Sequence, residues 1–267
     1  MTLYHCQLTL HDNVFFASRE MGILYETEKY LHNWALSFAF FSPKIIPQVY
    51  RLHGVNAQTP SYLDTRAECN LLHLNQANIY VFPAQPLNWY YQINTFKAAQ
   101  TTYYGRSKQF GEKGADRNYP INYGRAKELA VGSQYCTYII APANIEAKIP
   151  RWIRLGKWAA KIRVETVPIP ENTLQKKHGQ YSCTHPLNPL DLPANTQLLL
   201  YNRIVMPPSS LISQARITGE YWQSKQQEWS NFRQHYPQLP EKFNLPTGAF
   251  YGAATTPELP NTSLVGD

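Results

Sequence analysis

LYHCQLTL, residues 3–10, is the stretch on which the fold turns. Apolar residues alternate through it, placing Tyr4, Cys6, Leu8 and Leu10 on one face of a half-buried strand. A polar loop follows through Ser18 and Arg19. In residues 31–41, LHNWALSFAFF, the period changes: Leu31, Trp34, Ala35 and Phe38 repeat at i, i+3, i+4 and i+7. That spacing predicts an amphipathic helix, stopped by Pro43. Strand-like runs recur at residues 79–82, 89–96, 135–140 and 197–205. A strand, a helix and then several strands indicate an α+β fold with a mainly antiparallel sheet. Residues 168–208 hold seven prolines and are expected to be loop-rich. Residues 209–236 read either as a strand near Ile217 or as a helix carrying Trp222 and Trp229. These elements make one domain over residues 1–236, followed by a Pro-, Thr- and Gly-rich extension, 237–267, that docks loosely or is disordered.

Composition narrows the class. Hydrophobic residues form 43% of the 267, enough for a buried core, and charged residues only 16%. Twenty prolines against thirteen glycines predict short, interrupted elements. Cys6, Cys69, Cys136 and Cys183 lie far apart, so neither a disulfide scaffold nor a Cys-based zinc site is expected. The opening MTLYHCQLTLHD lacks the pattern of a secretory signal. The most apolar window, residues 35–41, is far shorter than the ~20 residues of a membrane span. A soluble, cytoplasmic protein with no membrane partner is the expectation.

Charge is concentrated. Residues 97–163 hold thirteen Lys or Arg against four Asp or Glu, a net of +9, and the rest of the chain nets −2. In the first cluster, residues 97–127, Lys97, Arg106, Lys108, Lys113, Arg117, Arg125 and Lys127 interleave with Tyr103, Tyr104, Phe110, Tyr119 and Tyr123 and with four glycines. This composition describes a long basic arm whose aromatic faces stack on unpaired bases while its cations neutralise phosphates. The blander reading is an exposed hairpin whose tyrosines pair across strands. In the second cluster, residues 149–164, Arg151, Arg154, Lys157, Lys161 and Arg163 flank Trp152 and Trp158 around Gly156. The glycine suggests a turn that offers Lys157 and its amide to a phosphate, with Trp152 in the core. An amphipathic helix, or a basic stretch for a calmodulin-like partner or a membrane surface, fits the same residues.

Motifs for chemistry are missing: there is no Walker A loop, dinucleotide fingerprint, HExxH or GxSxG. The eight histidines are scattered, and no two have the i, i+4 spacing of a helical metal pair. Glu26 and Glu28 are expected in solvent at the start of the first helix. No catalytic residue, cofactor or metal is expected, and binding is the default role. A nuclease using His, Tyr and Lys leaves no fixed spacing, so that alternative stays open.

The opening residues 4–40, YHCQLTLHDNVFFASREMGILYETEKYLHNWALSFAF, resemble the amino terminus of the type I-D CRISPR Csc-one family, the Cas-five-type subunit of that effector complex. INYGRAKELAVGSQY, residues 121–135, and PRWIRLGKWAAKIRV, residues 150–164, are similar to later blocks of the same family. The resemblance implies a ferredoxin-like, RNA-recognition-type βαββαβ domain of the repeat-associated superfamily. It implies a non-catalytic subunit at the foot of a Cascade complex, holding the 5′ handle of CRISPR RNA. Implied partners are the Cas-seven-type backbone subunit, Csc-two, and the Cas-ten-type large subunit, with target DNA near the protospacer-adjacent motif as a further contact. A metal-independent endoribonuclease acting on precursor CRISPR RNA, as in some Cas-five-type relatives, is the alternative. The family's glycine-rich RNA loop falls on residues 154–157, with Gly156 its single glycine. Expected RNA-binding residues are Arg19, Lys97, Tyr103, Tyr104, Arg106, Lys108, Arg117, Tyr123, Arg125, Lys127, Arg151, Arg154, Gly156, Lys157, Trp158 and Lys161.

Overall fold

A computed structural model describes residues 1–47, 62–97, 123–143 and 145–255. In chain order the elements are β1 (Thr2–Leu10), β2 (Arg19–Met21), β3 (Leu24–Glu26), α1 (Asn33–Phe41), α2 (Leu72–Gln76), β4 (Tyr80–Val81) and β5 (Gln85–Asn88). Then come β6 (Tyr91–Lys97), β7 (Tyr123–Leu129), β8 (Gln134–Ala141), β9 (Trp152–Leu155) and β10 (Ala160–Ile169). The chain continues through β11 (Leu174–Cys183), β12 (Gln197–Ile204), β13 (Leu211–Ser224), α3 (Gln226–His235) and β14 (Asn244–Pro246). The expected α+β class holds.

β1 lies at the centre of the main sheet, whose order is β4-β8-β1-β10-β9, with β5 also on β8. It pairs antiparallel with both neighbours, Leu8 facing Tyr135 on one side and Val164 on the other. Tyr4, Cys6, Leu8 and Leu10 are buried as their alternation requires. Leu3 and His5, on the opposite face, are buried too, because that end of the sheet has a second cover. Tyr138 there packs edge-on against His5, His185 and Phe243. The cover comes from a second sheet, β11-β13-β12 with β14 on β13. A small third sheet, β2-β3-β7-β6, contains one parallel pair, β3 with β7.

Three expectations change, and a fourth, the βαββαβ order, is not confirmed. A βαββαβ order needs a helix between β8 and β10, but the described residues there form one 3-10 turn, Glu146–Lys148, and then β9. Pro142 and Pro150 bracket that segment too closely for a longer helix. The stretch 168–208 is less loop-rich than its prolines suggest, since β11 and β12 each cross much of it. Residues 209–236 contain both readings in succession, with Trp222 in β13 and Trp229 in α3. The chain after Pro237 packs firmly up to Tyr251: Leu239, Phe243, Leu245 and Tyr251 are all buried.

α1 ends before Pro43 as expected, but its buried stripe is rotated. It carries Asn33, Trp34, Leu36, Ser37, Phe40 and Phe41, while Ala35 and Phe38 are only partly covered. The polar members are held by specific partners. Buried Asp191 accepts from Asn33 Nδ2 at 2.7 Å, Trp34 Nε1 at 3.0 Å, Tyr80 Oη at 3.2 Å and the Gly252 amide at 3.0 Å. Burial nevertheless pushes its carboxyl up to about 6. Ser37 Oγ lies 2.6 Å from Tyr251 Oη, and His32 caps the helix by accepting from the Trp34 amide on Nδ1.

Candidate nucleic-acid interface

β9 and β10 form a hairpin at the edge of the main sheet, and strict alternation sorts its side chains. Ile153, Leu155, Ala160, Ile162 and Val164 go to the core, while Trp152, Arg154, Lys161 and Arg163 are exposed. This pattern excludes the amphipathic-helix reading. It also moves Trp152 out of the core: the residue is 43% exposed, edge-on to His11 at 4.9 Å, with Lys161 Nζ 4.1 Å from its ring centroid. In register, Arg154 stands opposite Lys161 and Trp152 opposite Arg163. Like charges directly across a strand pair are destabilising. Asp12 offsets this only weakly, 3.8 Å from Arg154 and exposed. Arg163 Nη2 donates to exposed Glu165 at 2.8 Å.

The hairpin turn is residues 156–159. Gly156 has φ +81°, and a Cβ placed there would lie 2.8 Å from the Phe15 carbonyl oxygen. The Lys157 amide donates to that same oxygen at 2.9 Å. Glycine is thus required for close backbone approach, and the amide expected to meet a phosphate is already used. The Lys157 side chain is exposed, as is that of Arg151 just before β9. Trp158 is 51% exposed and stacks one face on Phe15, ring centroids 4.5 Å apart.

The other described members of the expected set lie on the small sheet. By register and side-chain alternation, Arg19, Arg125 and Lys127 share a face, and Lys97 and Tyr123 pair at the ends of β6 and β7. Lys127 is tied to Glu26 at 3.2 Å and lies over the Tyr91 ring, and Arg19 is paired with Glu28. Glu26 and Glu28 therefore neutralise cations rather than lead into α1. Arg125 is exposed with no side-chain partner among the described residues. Tyr103, Tyr104, Arg106, Lys108 and Arg117, with most of the expected arm, lie outside the described residues.

The segment after β1, read from sequence as a polar loop, joins the two groups. Asp12 Oδ2 accepts from the Lys161 amide at 2.9 Å, and Val14 exchanges backbone hydrogen bonds with Leu129. Phe15 then receives the hairpin turn, and Thr27 brackets the Phe16 backbone. His11, Phe15, Trp152 and Arg163 were missing from the expected set. The two-residue spacing of Trp152 and Arg154, and of Lys161 and Arg163, was the signal that could have placed Trp152 and Arg163 on the face.

Nothing in this geometry assembles a metal centre: no group of three His, Cys, Asp or Glu side chains suited to a metal occurs among the described residues. Burial pushes His5 down to about 4 and His32 and His185 to about 3. These three are neutral core groups, out of reach of a substrate. Among the described residues, no helix is long and apolar enough to cross a membrane.

Chains of solved structures similar to this one include one from the type III-B Cmr-beta bound to cognate target RNA and AMPPnP, with 10% identity and a TM-score of 0.45. That match covers 87% of this chain and 89% of the other. A CRISPR protein from Archaeoglobus fulgidus, also 10% identical, matches over 83% of this chain and 95% of its own, with a TM-score of 0.34. No curated protein matches the chain. The family model described as type I-D CRISPR-associated protein Cas5/Csc1 matches residues 1–254, and the chain belongs to that family.

Proposed function

We propose that this chain is a non-catalytic subunit of a type I-D CRISPR effector complex that holds the 5′ handle of CRISPR RNA on the exposed face of β9 and β10. The observation that carries the reading is the exposed cross-strand pair Arg154 and Lys161, only weakly offset by Asp12 and flanked by Arg163 and the exposed ring of Trp152. A polyanion with unpaired bases satisfies both features, through phosphates for the cations and stacking for the ring. The strand order β4-β8-β1-β10 with α1 is read as a ferredoxin-like, RNA-recognition-type unit in which the β9 hairpin replaces the second helix. Membership in the family supports assembly with a Cas-seven-type backbone subunit and a Cas-ten-type large subunit, near the protospacer-adjacent motif of target DNA. In such a complex, guide pairing reads the DNA sequence and this subunit holds RNA backbone and handle.

One observation favours the catalytic alternative: exposed His11 sits beside Trp152, on which Lys161 also lies, so a general acid–base group and a cation share the face. Incubating purified chain with labelled repeat RNA in EDTA separates the two roles. Retention of intact RNA on a filter is the expected result. Discrete cleavage next to the handle would replace the binding role with metal-independent processing, and failure to retain RNA would overturn both.

A further inference from the structure

The small sheet carries a feature that phosphate binding leaves unexplained. Glu128 on β7 is 1% exposed, and its Oε1 has no hydrogen-bond partner among the described residues. A buried carboxylate oxygen left unpaired is costly and calls for a reason. Its other oxygen, Oε2, accepts from Asn94 Nδ2 at 2.9 Å. Asn94 Oδ1 accepts in turn from Gln92 Nε2 at 3.2 Å, and Gln92 Oε1 from Asn13 Nδ2 at 3.2 Å. Asn13 Oδ1 accepts from the Val131 backbone amide at 3.0 Å. The row is polarised from both ends, since a backbone N–H can only donate and a carboxylate only accepts. Each amide is therefore held in one orientation, with one N–H and one lone pair unused among the described residues. Gln92 is exposed, and Asn13 follows directly on Asp12, which holds the Lys161 amide beside the basic face.

A side-chain amide in fixed orientation offers a donor and an acceptor side by side, the complement of adenine N7 and N6. We propose that the row Asn13–Gln92–Asn94, oriented by Glu128, reads the edge of an unpaired adenine in the bound RNA, with Gln92 as the contact. This rests on the RNA-binding role proposed above and adds base selectivity to it. Glu128 acts as a positioning residue, since among the described residues its side chain hydrogen-bonds to Asn94 and it is buried away from the RNA.

The test is fluorescence anisotropy of the full chain with short oligo(A), oligo(C) and oligo(U) at one salt concentration. Oligo(A) is expected to bind about tenfold more tightly than oligo(U). Gln92→Ala should bring oligo(A) to the oligo(U) level while leaving the salt dependence unchanged. Glu128→Gln should narrow the oligo(A) preference only in part, because the Val131 amide still orients the Asn13 end of the row. If it fails to fold, exposed Gln92 decides the matter alone. Equal wild-type affinity for the three oligonucleotides, or a preference that survives Gln92→Ala, overturns the base-reading role and leaves RNA binding standing. A wild-type chain that binds none of them overturns RNA binding itself.

Discussion

Replacing Gly156 with valine should destabilise the protein through the turn, whatever RNA does. Three costs combine at that position. A left-handed backbone costs an ordinary residue about 1–2 kcal/mol, and a β-branched one tolerates it poorly. The new Cβ would sit 2.8 Å from the Phe15 carbonyl oxygen and 3.3 Å from the Phe15 nitrogen, backbone atoms that cannot swing aside. Overpacking of this kind costs about 1–3 kcal/mol. If the turn shifts to relieve it, the hydrogen bond from the Lys157 amide to Phe15 is lost, about 0.5–1.5 kcal/mol. A loss of about 3–5 kcal/mol follows, lowering the melting temperature by roughly 10 °C at about 2–4 °C per kcal/mol. Gly156→Asn is the companion variant, because asparagine tolerates the left-handed region yet still carries a Cβ. Its deficit should be smaller, isolating the crowding against Phe15. Thermal unfolding followed by near-UV circular dichroism reads both. A Gly156→Val protein melting within ~2 °C of wild type would refute the reasoning, since no turn that close to Phe15 could accept the side chain freely.

Trp152→Ala should weaken handle-RNA binding by roughly 1–3 kcal/mol with little change in melting temperature, because the ring is exposed; a matching loss of stability would return Trp152 to the core. Acid should unfold the protein with a definite proton count. His5, His32 and His185, depressed to about 4, 3 and 3, stabilise above the unfolded value near 6.5 and lose that contribution as pH falls. Asp191 works in the opposite sense: raised to about 6, its contribution is present below its unfolded value and lost as pH rises. Near pH 5 these four groups give a net uptake of about two protons on unfolding, or ~3 kcal/mol per pH unit, readable as the pH dependence of the urea midpoint. Asp191→Asn should steepen that dependence by one proton, and an unchanged slope would contradict the assignment.

Much of this fold was legible where burial is one-sided. β1 and the stop of α1 at Pro43 follow from periodicity and a single proline. The rotation of the α1 stripe was not legible, because Asn33 and Ser37 read as solvent-facing until Asp191 and Tyr251, far away in sequence, arrive as partners. Residues 168–208 misled for a related reason. Their prolines cluster between strands, and Leu174–Cys183, carrying Lys176, Lys177 and His178, lacks an obvious apolar alternation. At the interface, the basic residues were visible as composition. The use of the Lys157 amide by Phe15 was not, because nothing local links residues 142 positions apart. Trp152 was misassigned because tryptophan is usually buried, a prior that loses to strict alternation on an edge hairpin.

The most direct measurement is a salt titration of handle-RNA affinity for the wild-type chain and for a variant with Arg154, Lys161 and Arg163 all changed to alanine. Each phosphate neutralised contributes about −0.7 to the slope of log affinity against log salt. If the β9–β10 face holds the RNA backbone, the variant should bind more weakly, with a slope flattened by about 2, and should remain folded because all three side chains are exposed. The same affinity and the same slope in both proteins would place the RNA elsewhere and contradict the assignment of this face.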